Sequence, residues 1–240
     1  MLRARASTFW RVPNTRLVWH MPYTSRAFRR TVTTVPQVHL KLKMASRTEP
    51  LQPTDGPMVW IDCEMTGLDP ETDRIMEIAV LITNGNLELV DEGIEYVIRV
   101  DKEHLDGMGE WCRKQHGQSG LTNASVSSPF TKDYVSDAVF KYIKKWIPAE
   151  RKGVLAGNSV HMDRVFLMKE MPEVVDWLHY RIIDVSSVKE LVSRWYTHPS
   201  QRVPSLVQGT DDRHRALSDI KASIRELKWY REHAFVTPLR

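Results

Sequence analysis

The chain has 240 residues, 42% hydrophobic and 27% charged, which suffices for one globular domain with a sizeable core and an extension. Its two cysteines, Cys63 and Cys112, are too few for a disulfide framework. No apolar run approaches the roughly 18–20 residues that span a membrane, so we expect no membrane contact. The net charge of +4 comes from residues 1–43, which hold nine Arg and Lys and no acidic residue. The remainder has 25 basic and 30 acidic side chains, which argues against a basic surface for long nucleic acids.

Residues 1–43 have the composition of a mitochondrial transit peptide, since they are rich in Arg, Ser and Thr and free of acidic residues. The alternative is a basic arm that binds nucleic acid. Met44 follows this stretch and can start a shorter form, which would place the protein in the cytosol or nucleus as well. We therefore predict a presequence or arm over 1–43, a Pro-rich linker over 44–57 and one domain over 58–235.

The first part of that domain is predicted to be an antiparallel meander. Strands are expected over "MVWIDCEM", "RIMEIAVLITN" and "EYVIRV", with a short one over residues 87–90. The "NGN" at Asn84–Asn86 is typical of a hairpin turn.

Helices dominate the second part. One is predicted to end at Gly117 as a C-cap, the next to cover Thr131–Ile147, and a third to begin at an N-cap Ser159 and stop at Pro172. Strands are expected over "GVLAGNS" and "YRIIDVS". The second of these leads into the helix "SVKELVSRWY", and a polar loop over 197–213 precedes a long amphipathic helix over residues 215–233. The pattern predicts a mixed α/β fold.

Two carboxylates, Asp62 and Glu64, lie in the first strand, where residues i and i+2 point to one face. Their repulsion requires either a cation or a pairing with Arg. Asp163 and Asp219 each fall near a predicted helix start, and each could instead be a solvated surface carboxylate. Four converging carboxylates would suit two Mg²⁺ or Mn²⁺ ions, which stabilise phosphoryl displacement. His214, if it lies in the preceding loop, would be placed to take a proton from the attacking water; otherwise it is a surface histidine.

Five motifs in order resemble the DEDDh 3′-to-5′ exonucleases and, within them, the oligoribonucleases, above all their animal mitochondrial form. They are "WIDCEMTGLD", "EWCRKQHGQSGL", "AGNSVHMDRVFL", "HYRIIDVSSVKEL" and "HRALSDI". The resemblance implies an RNase H-like exonuclease fold with a mixed five-stranded sheet flanked by helices. It also implies two metal ions on Asp62, Glu64, Asp163 and Asp219, with His214 as the general base.

The same resemblance implies a homodimer acting on short single-stranded RNA, with Tyr180 reaching into the partner's site. Leu68 and Trp111 would hold the two bases, although a core position is the usual place for a Trp. Arg181 and Ser186 would bind the 5′ phosphate, and Ser159 of the other chain would complete this site. His116 matches a substrate-side position, and Ser187 replaces a Thr while keeping the hydroxyl.

These observations predict a 3′-to-5′ exoribonuclease that converts very short oligoribonucleotides, especially dinucleotides, to 5′-mononucleotides. One alternative is a DEDDh exonuclease on longer RNA or on DNA. The other is a binding protein that has kept the fold without the activity.

Overall fold

The computed structural model describes residues 42, 44, 48–196 and 215–235. Five strands of these residues form one mixed sheet in the order β3-β2-β1-β4-β5. They are β1 (Met58–Met65), β2 (Ile75–Thr83), β3 (Ile94–Val97), β4 (Val154–Gly157) and β5 (Ile182–Asp184). The first three strands pair antiparallel, and β4 and β5 extend the sheet in parallel from β1. The predicted meander and the mixed five-stranded sheet are confirmed.

Eight α-helices of the described residues surround the sheet, after a 3₁₀ turn at Pro53–Asp55. They are α1 (Lys102–Gly107), α2 (Glu110–Gln118), α3 (Leu121–Ser127), α4 (Lys132–Trp146), α5 (His161–Glu170), α6 (Pro172–Trp177), α7 (Val185–Trp195) and α8 (Ala216–His233). Local sequence explains their starts in several cases. Thr131 caps α4 by accepting a hydrogen bond from the N–H of Tyr134, and Asp184 caps α7 through the N–H of Ser186.

The sheet is covered on both faces. One face packs against α4, α5 and α6 through residues such as Ile61, Val139 and Phe166. The other packs against α7 and α8 through residues such as Trp60, Val192 and Ile224. Because strand side chains alternate, Asp62 and Glu64 share the face of Trp60 and lie on the α8 side. Cys63 lies on the opposite face, in the first cluster.

All nine residues of β2 are buried, because strands flank it on both sides and helices cover it. One of them is charged: Glu77, which lies directly across from Glu64 of β1 in the antiparallel register. A carboxylate in this position needs a partner.

Some boundaries differ from the predicted ones. Gly117 lies inside α2, which continues to Gln118. The predicted stop of α5 before Pro172 is present. Pro172 also opens α6, at the first helix position, where a missing N–H costs nothing. Residues 87–90 form no strand, and Leu89 makes isolated bridges to Thr83 and to Met44. Ser159 is not a helix cap; α5 starts at His161 and Ser159 has a left-handed φ of 51°.

The packed structure also begins earlier than the predicted boundary at Met58. Leu51 is only 1% exposed, and its N–H donates to the carbonyl of Trp146 at 2.7 Å. Apart from Leu42, the predicted 1–43 segment lies outside the described residues, as do the 197–213 loop and His214. Within the part of the chain that the structure describes, the helices are too short or too polar to cross a membrane.

Candidate active site

Three carboxylates meet beside the central strand. Asp62 and Glu64 come from β1, and Asp219 comes from the first turn of α8. Each offers a carboxylate oxygen, and these oxygens all lie within 4.8 Å of one another. All three side chains are half-buried. The predicted convergence of residues separated by more than 150 positions is thus present in the fold, and we refer to these three residues as the acidic cluster.

The fourth predicted carboxylate, Asp163, lies at the edge of this group. It is 5% exposed on α5, and its Oδ1 accepts a hydrogen bond from the N–H of Cys63 at 2.9 Å. That bond ties α5 to the backbone of β1. Among neighbouring charges, Asp163 raises the pKa of Asp62 most. It is not one of the three residues whose carboxylate oxygens lie within 4.8 Å of one another.

The electrostatics of the cluster are unfavourable without a cation. Burial, followed by Asp163, Glu64 and Asp219, raises the pKa of Asp62 well above its usual range. Burial and then Asp219 raise the pKa of Glu64 to about 8. Burial also raises the pKa of Asp163 to about 7, against the lowering effect of the Cys63 N–H.

A dense group of carboxylate oxygens fits hard divalent cations. Mg²⁺ and Mn²⁺ prefer such oxygen ligands, and their charge offsets the repulsion that raises these pKa values. The donor set therefore fits the ions expected from the sequence.

Sequence reasoning missed an ion pair at the edge of the cluster. Glu77 is fully buried, and both of its oxygens accept hydrogen bonds from the Nε of Arg215, at 2.8 and 3.0 Å. The second guanidinium nitrogen of Arg215 also donates to Glu77, and the N–H of Ala216 donates at 3.3 Å. Arg215 additionally lowers the pKa of Glu64. The pair joins β2 to the start of α8, and so supports the helix turn that carries Asp219.

Of the two histidines singled out by the sequence, only His116 is described. It is 1% exposed, and its Nε2 donates to the carbonyl of Met65 at 2.9 Å. Its Nδ1 lies 3.9 Å from a carboxylate oxygen of Glu64. The structure thus places His116 beneath the cluster, where it supports the end of β1, rather than on an exposed substrate surface.

Two large apolar side chains lie exposed near the same end of β1. Leu68 is 71% exposed in the loop after β1, and Trp111 is 67% exposed on α2, the helix that carries His116. A core position for Trp111 is therefore excluded. The loop is held closely: Asp73 accepts hydrogen bonds from the Thr66 hydroxyl and from the N–H of Asp69. A Cβ at Gly67 would lie 2.3 Å from an oxygen of Asp73, so only glycine permits this approach.

A second group of polar side chains lies between β4 and α7, and we call Ser159, Ser186 and Asn158 the hydroxyl cluster. The hydroxyls of Ser159 and Ser186 are 3.2 Å apart in the same chain. The resemblance implied that Ser159 would reach this site from the other chain, and in the structure the two serines of a single chain already lie together. The N–H of Ser159 donates to Ser186 Oγ at 3.0 Å and to Asp184 Oδ1 at 2.9 Å. These bonds hold Ser159 in its left-handed conformation.

The remaining predicted residues lie on α7 and in the segment before β5. Ser186 and Ser187 fall in the first turn of α7, where the helix dipole favours anions. Arg181 is exposed and its guanidinium carbon lies 5.0 Å from the ring centre of Tyr180. Tyr180 is 63% exposed and stacks on His179. The side chains of Tyr180 and Arg181 are therefore both exposed to solvent.

The fold and the arrangement of carboxylates define a class of nuclease. Exonuclease I of E. coli, solved with a dT13 oligonucleotide, superposes with a TM-score of 0.59 at 13% identity over 74% of this chain and 41% of its own. This chain thus spans about two fifths of that protein. The exonuclease family model matches residues 59–227. The chain has the RNase H-like exonuclease fold and belongs to the exonuclease family.

Relatives of higher identity narrow this assignment. The chain is 44% identical to the probable oligoribonuclease of Schizosaccharomyces pombe, over 86% of this chain and 79% of the relative. It is 46% identical to the mitochondrial oligoribonucleases of Saccharomyces cerevisiae and Homo sapiens. Those matches cover 76% and 74% of this chain, and 69% and 73% of the relatives. Within the exonuclease family, the chain belongs to the oligoribonucleases.

Proposed function

We propose that this protein is a 3′-to-5′ exoribonuclease that degrades very short oligoribonucleotides, especially dinucleotides, to 5′-mononucleotides. The observation that carries the proposal is the meeting of Asp62, Glu64 and Asp219 within 4.8 Å, in a chain whose relatives are oligoribonucleases. Such a cluster has no structural benefit of its own, because each carboxylate opposes the ionisation of the others.

Two divalent ions, Mg²⁺ or Mn²⁺, would neutralise this charge and, when bound, stabilise both the attacking and the leaving oxygen of a phosphoryl displacement. Asp62, Glu64 and Asp219 would hold them, with Asp163 beside the cluster. His214, which precedes Arg215 in the sequence, would accept the proton of the attacking water.

The preference for short substrates is proposed from the hydroxyl cluster and its surroundings. Leu68 and Trp111, both exposed near the end of β1, would contact the two bases. Trp111 would stack its ring on a base, and Leu68 would make an apolar contact. Arg181 with the hydroxyls of Ser159, Ser186 and Ser187 would bind a 5′ phosphate. A phosphate held there leaves no path for further nucleotides, so a longer strand would fit poorly.

The protein from Met44 onward, assayed with Mg²⁺ on 5′-labelled RNAs of two, five and twenty nucleotides, tests this function. We expect rapid cleavage of the dinucleotide and slow cleavage of the 20-mer. Equal or faster cleavage of the 20-mer, or of a DNA strand, would instead favour an exonuclease for long strands. Absence of cleavage with metal still bound would favour the binding protein.

We also propose that the protein is a homodimer. Val165 and Met168 of α5 are 40% and 55% exposed, and Met168 and Tyr180 line a shared cavity of about 150 Å³. These exposed apolar groups are a reasonable contact surface for a second chain. Light scattering of the wild type and of Met168→Asp tests this: the variant should be monomeric.

A mitochondrial location is proposed from the mitochondrial relatives and from the basic, acid-free segment 1–43. Residues 1–43 fused to a fluorescent protein should enter mitochondria. A fusion beginning at Met44 should remain in the cytosol or nucleus, and mitochondrial uptake of that shorter fusion would contradict the role given to 1–43.

A further inference from the structure

A chain of hydrogen bonds connects the hydroxyl cluster to the acidic cluster. Its central residue, Asn158, lies in the motif "AGNSVHMDRVFL" but was given no role by the sequence. The Ser186 hydroxyl donates to Asn158 Oδ1 at 3.1 Å. Asn158 Nδ2 donates to Ser223 Oγ at 2.7 Å, and Ser223 Oγ donates to the carbonyl of Asp219 at 2.9 Å. The chain thus passes from the start of α7 to the turn of α8 that holds a predicted metal ligand.

The orientation of the Asn158 amide follows from these partners. Ser223 has one hydroxyl proton, and it is used in the bond to Asp219. Ser223 can therefore only accept from Asn158, which requires the NH₂ group on that side and the carbonyl oxygen toward Ser186. A single amide satisfies both ends only when the two clusters keep one separation, because its donor and acceptor are fixed in a plane.

The surroundings make this connection stiff. Ser223 is 4% exposed, and Asn158 lines a cavity of about 300 Å³ together with Asp62 and Asp219. On the other side, Ser159 is held in a left-handed conformation by its bonds to Ser186 and Asp184. Such strain persists only where neighbouring contacts determine the backbone.

We infer that Asn158 is a positioning residue that sets the distance between the 5′-phosphate site and the acidic cluster. This inference rests on the proposed function. With that distance fixed, the interactions of the 5′ phosphate hold the scissile bond of a dinucleotide at the acidic cluster, so binding at one end accelerates the reaction at the other. Without the connection, the phosphate would still bind but would no longer place the scissile bond.

The test uses the full 240-residue chain in the presence of Mn²⁺. It compares kcat/KM for diadenylate that carries a 5′ phosphate with kcat/KM for diadenylate that carries a 5′ hydroxyl. The ratio of the two values measures the benefit of the phosphate, and it is independent of the folded fraction because both substrates are assayed on one preparation. In Asn158→Ala we expect this ratio to fall by about five- to tenfold, the size expected for one lost hydrogen bond between neutral groups.

Ser223→Ala tests the connection to α8 separately, since it leaves Asn158 and both serines in place. Its ratio should also fall, and the double variant should match Asn158→Ala, because residues in one hydrogen-bonded chain are not additive. Asn123→Ala, at an exposed asparagine of α3, is the matched control and should keep the wild-type ratio.

The outcomes separate the two proposals. If the wild type cleaves neither diadenylate, the proposed function fails. If it cleaves both and Asn158→Ala keeps the wild-type ratio, the inference is wrong. If Asn158→Ala lowers the ratio and Ser223→Ala does not, Asn158 acts only on Ser186, and the connection between the clusters is overturned.

Discussion

The acidic cluster and the hydroxyl cluster lie at two ends of one hydrogen-bonded chain, and they differ in how far the protein alone satisfies them. In the hydroxyl cluster, Ser159, Ser186 and Asn158 find partners in one another, in Asp184 and in Ser223. In the acidic cluster, burial and neighbouring carboxylates raise the pKa values of Asp62 and Glu64, and the ionised forms oppose one another.

The difference indicates that the hydroxyl cluster is stabilised by contacts within the protein, whereas a bound cation would stabilise the acidic cluster. A group of uncharged donors and acceptors that satisfy one another keeps a defined geometry without a ligand, so it suits specificity. A group of carboxylates that destabilises the metal-free fold would be stabilised by bound cations, so it suits chemistry. Substitutions in the hydroxyl cluster should therefore alter substrate preference. Substitutions in the acidic cluster should alter activity and stability together.

The largest effect is expected from Asp219→Asn. It removes one oxygen charge from the acidic cluster, so activity on a dinucleotide with Mn²⁺ should fall by at least about 100-fold, as for loss of one group that stabilises transition-state charge. The metal-free variant should melt at a higher temperature than the wild type, because the repulsion is relieved. Asp106→Asn, which alters an exposed carboxylate paired with Lys102, should change neither property. An active Asp219→Asn variant would remove this residue from the chemistry.

A large loss of stability is expected from Arg215→Gln. It leaves Glu77 fully buried and without its counter-charge, a change that typically costs about 3–5 kcal/mol. Thermal unfolding should report a melting temperature lower by roughly 10 °C.

Glu190→Gln is the matched control for that ion pair. It breaks an exposed pair with Arg194 on α7, where the expected cost is below about 1 kcal/mol. Similar losses in the two variants would mean that burial of Glu77 contributes nothing to the pair.

The metal-free protein should lose stability as the pH rises from 5 to 8. The pKa of Glu64 is about 8 in the folded state against an ordinary value of 4.5, so the folded state binds more protons across this range. The stability that the folded state gains by binding this proton on Glu64 is therefore present in full below pH 4.5 and is lost as the pH rises through 8. Asp163, with a pKa of about 7, acts in the same direction.

Melting temperatures with chelator and with Mn²⁺ measure this dependence. The chelated sample should lose several degrees between pH 5 and 8, and Mn²⁺ should restore them at pH 8, because the ion binds the ionised carboxylates. A metal-free melting temperature that stays level or rises over this range would show that the carboxylates are compensated by the protein itself.

The smallest effect is expected from Trp111→Ala. The side chain is 67% exposed, so its loss should leave stability unchanged while KM for a dinucleotide rises about tenfold, the size of one lost base-stacking contact. Trp195→Ala, at a tryptophan of α7 that is 69% exposed, is the control for loss of an exposed indole. Equal KM values for the two variants would take Trp111 out of the substrate site.

The sequence by itself determined what depends on neighbours along the chain. The alternation in "WIDCEM" placed Asp62 and Glu64 on one face of a strand, and the apolar period of residues 131–147 located α4 almost to the residue. Motif order supplied the family, and with it the fold. The same local rules predicted correctly that α5 ends before Pro172, but they placed a helix end at Gly117, which lies inside α2.

Only the tertiary structure decided which distant groups meet. Arg215 reaches Glu77 across 138 positions, and Asp163 reaches the backbone of Cys63 across 100. The sequence does not identify either pair, since the two partners lie on segments far apart along the chain. Asn158 is the same case: its role follows from the two partners that the fold brings to it. Such contacts arise from the packing of α5, α7 and α8 on the sheet, and a period read along one segment cannot contain them.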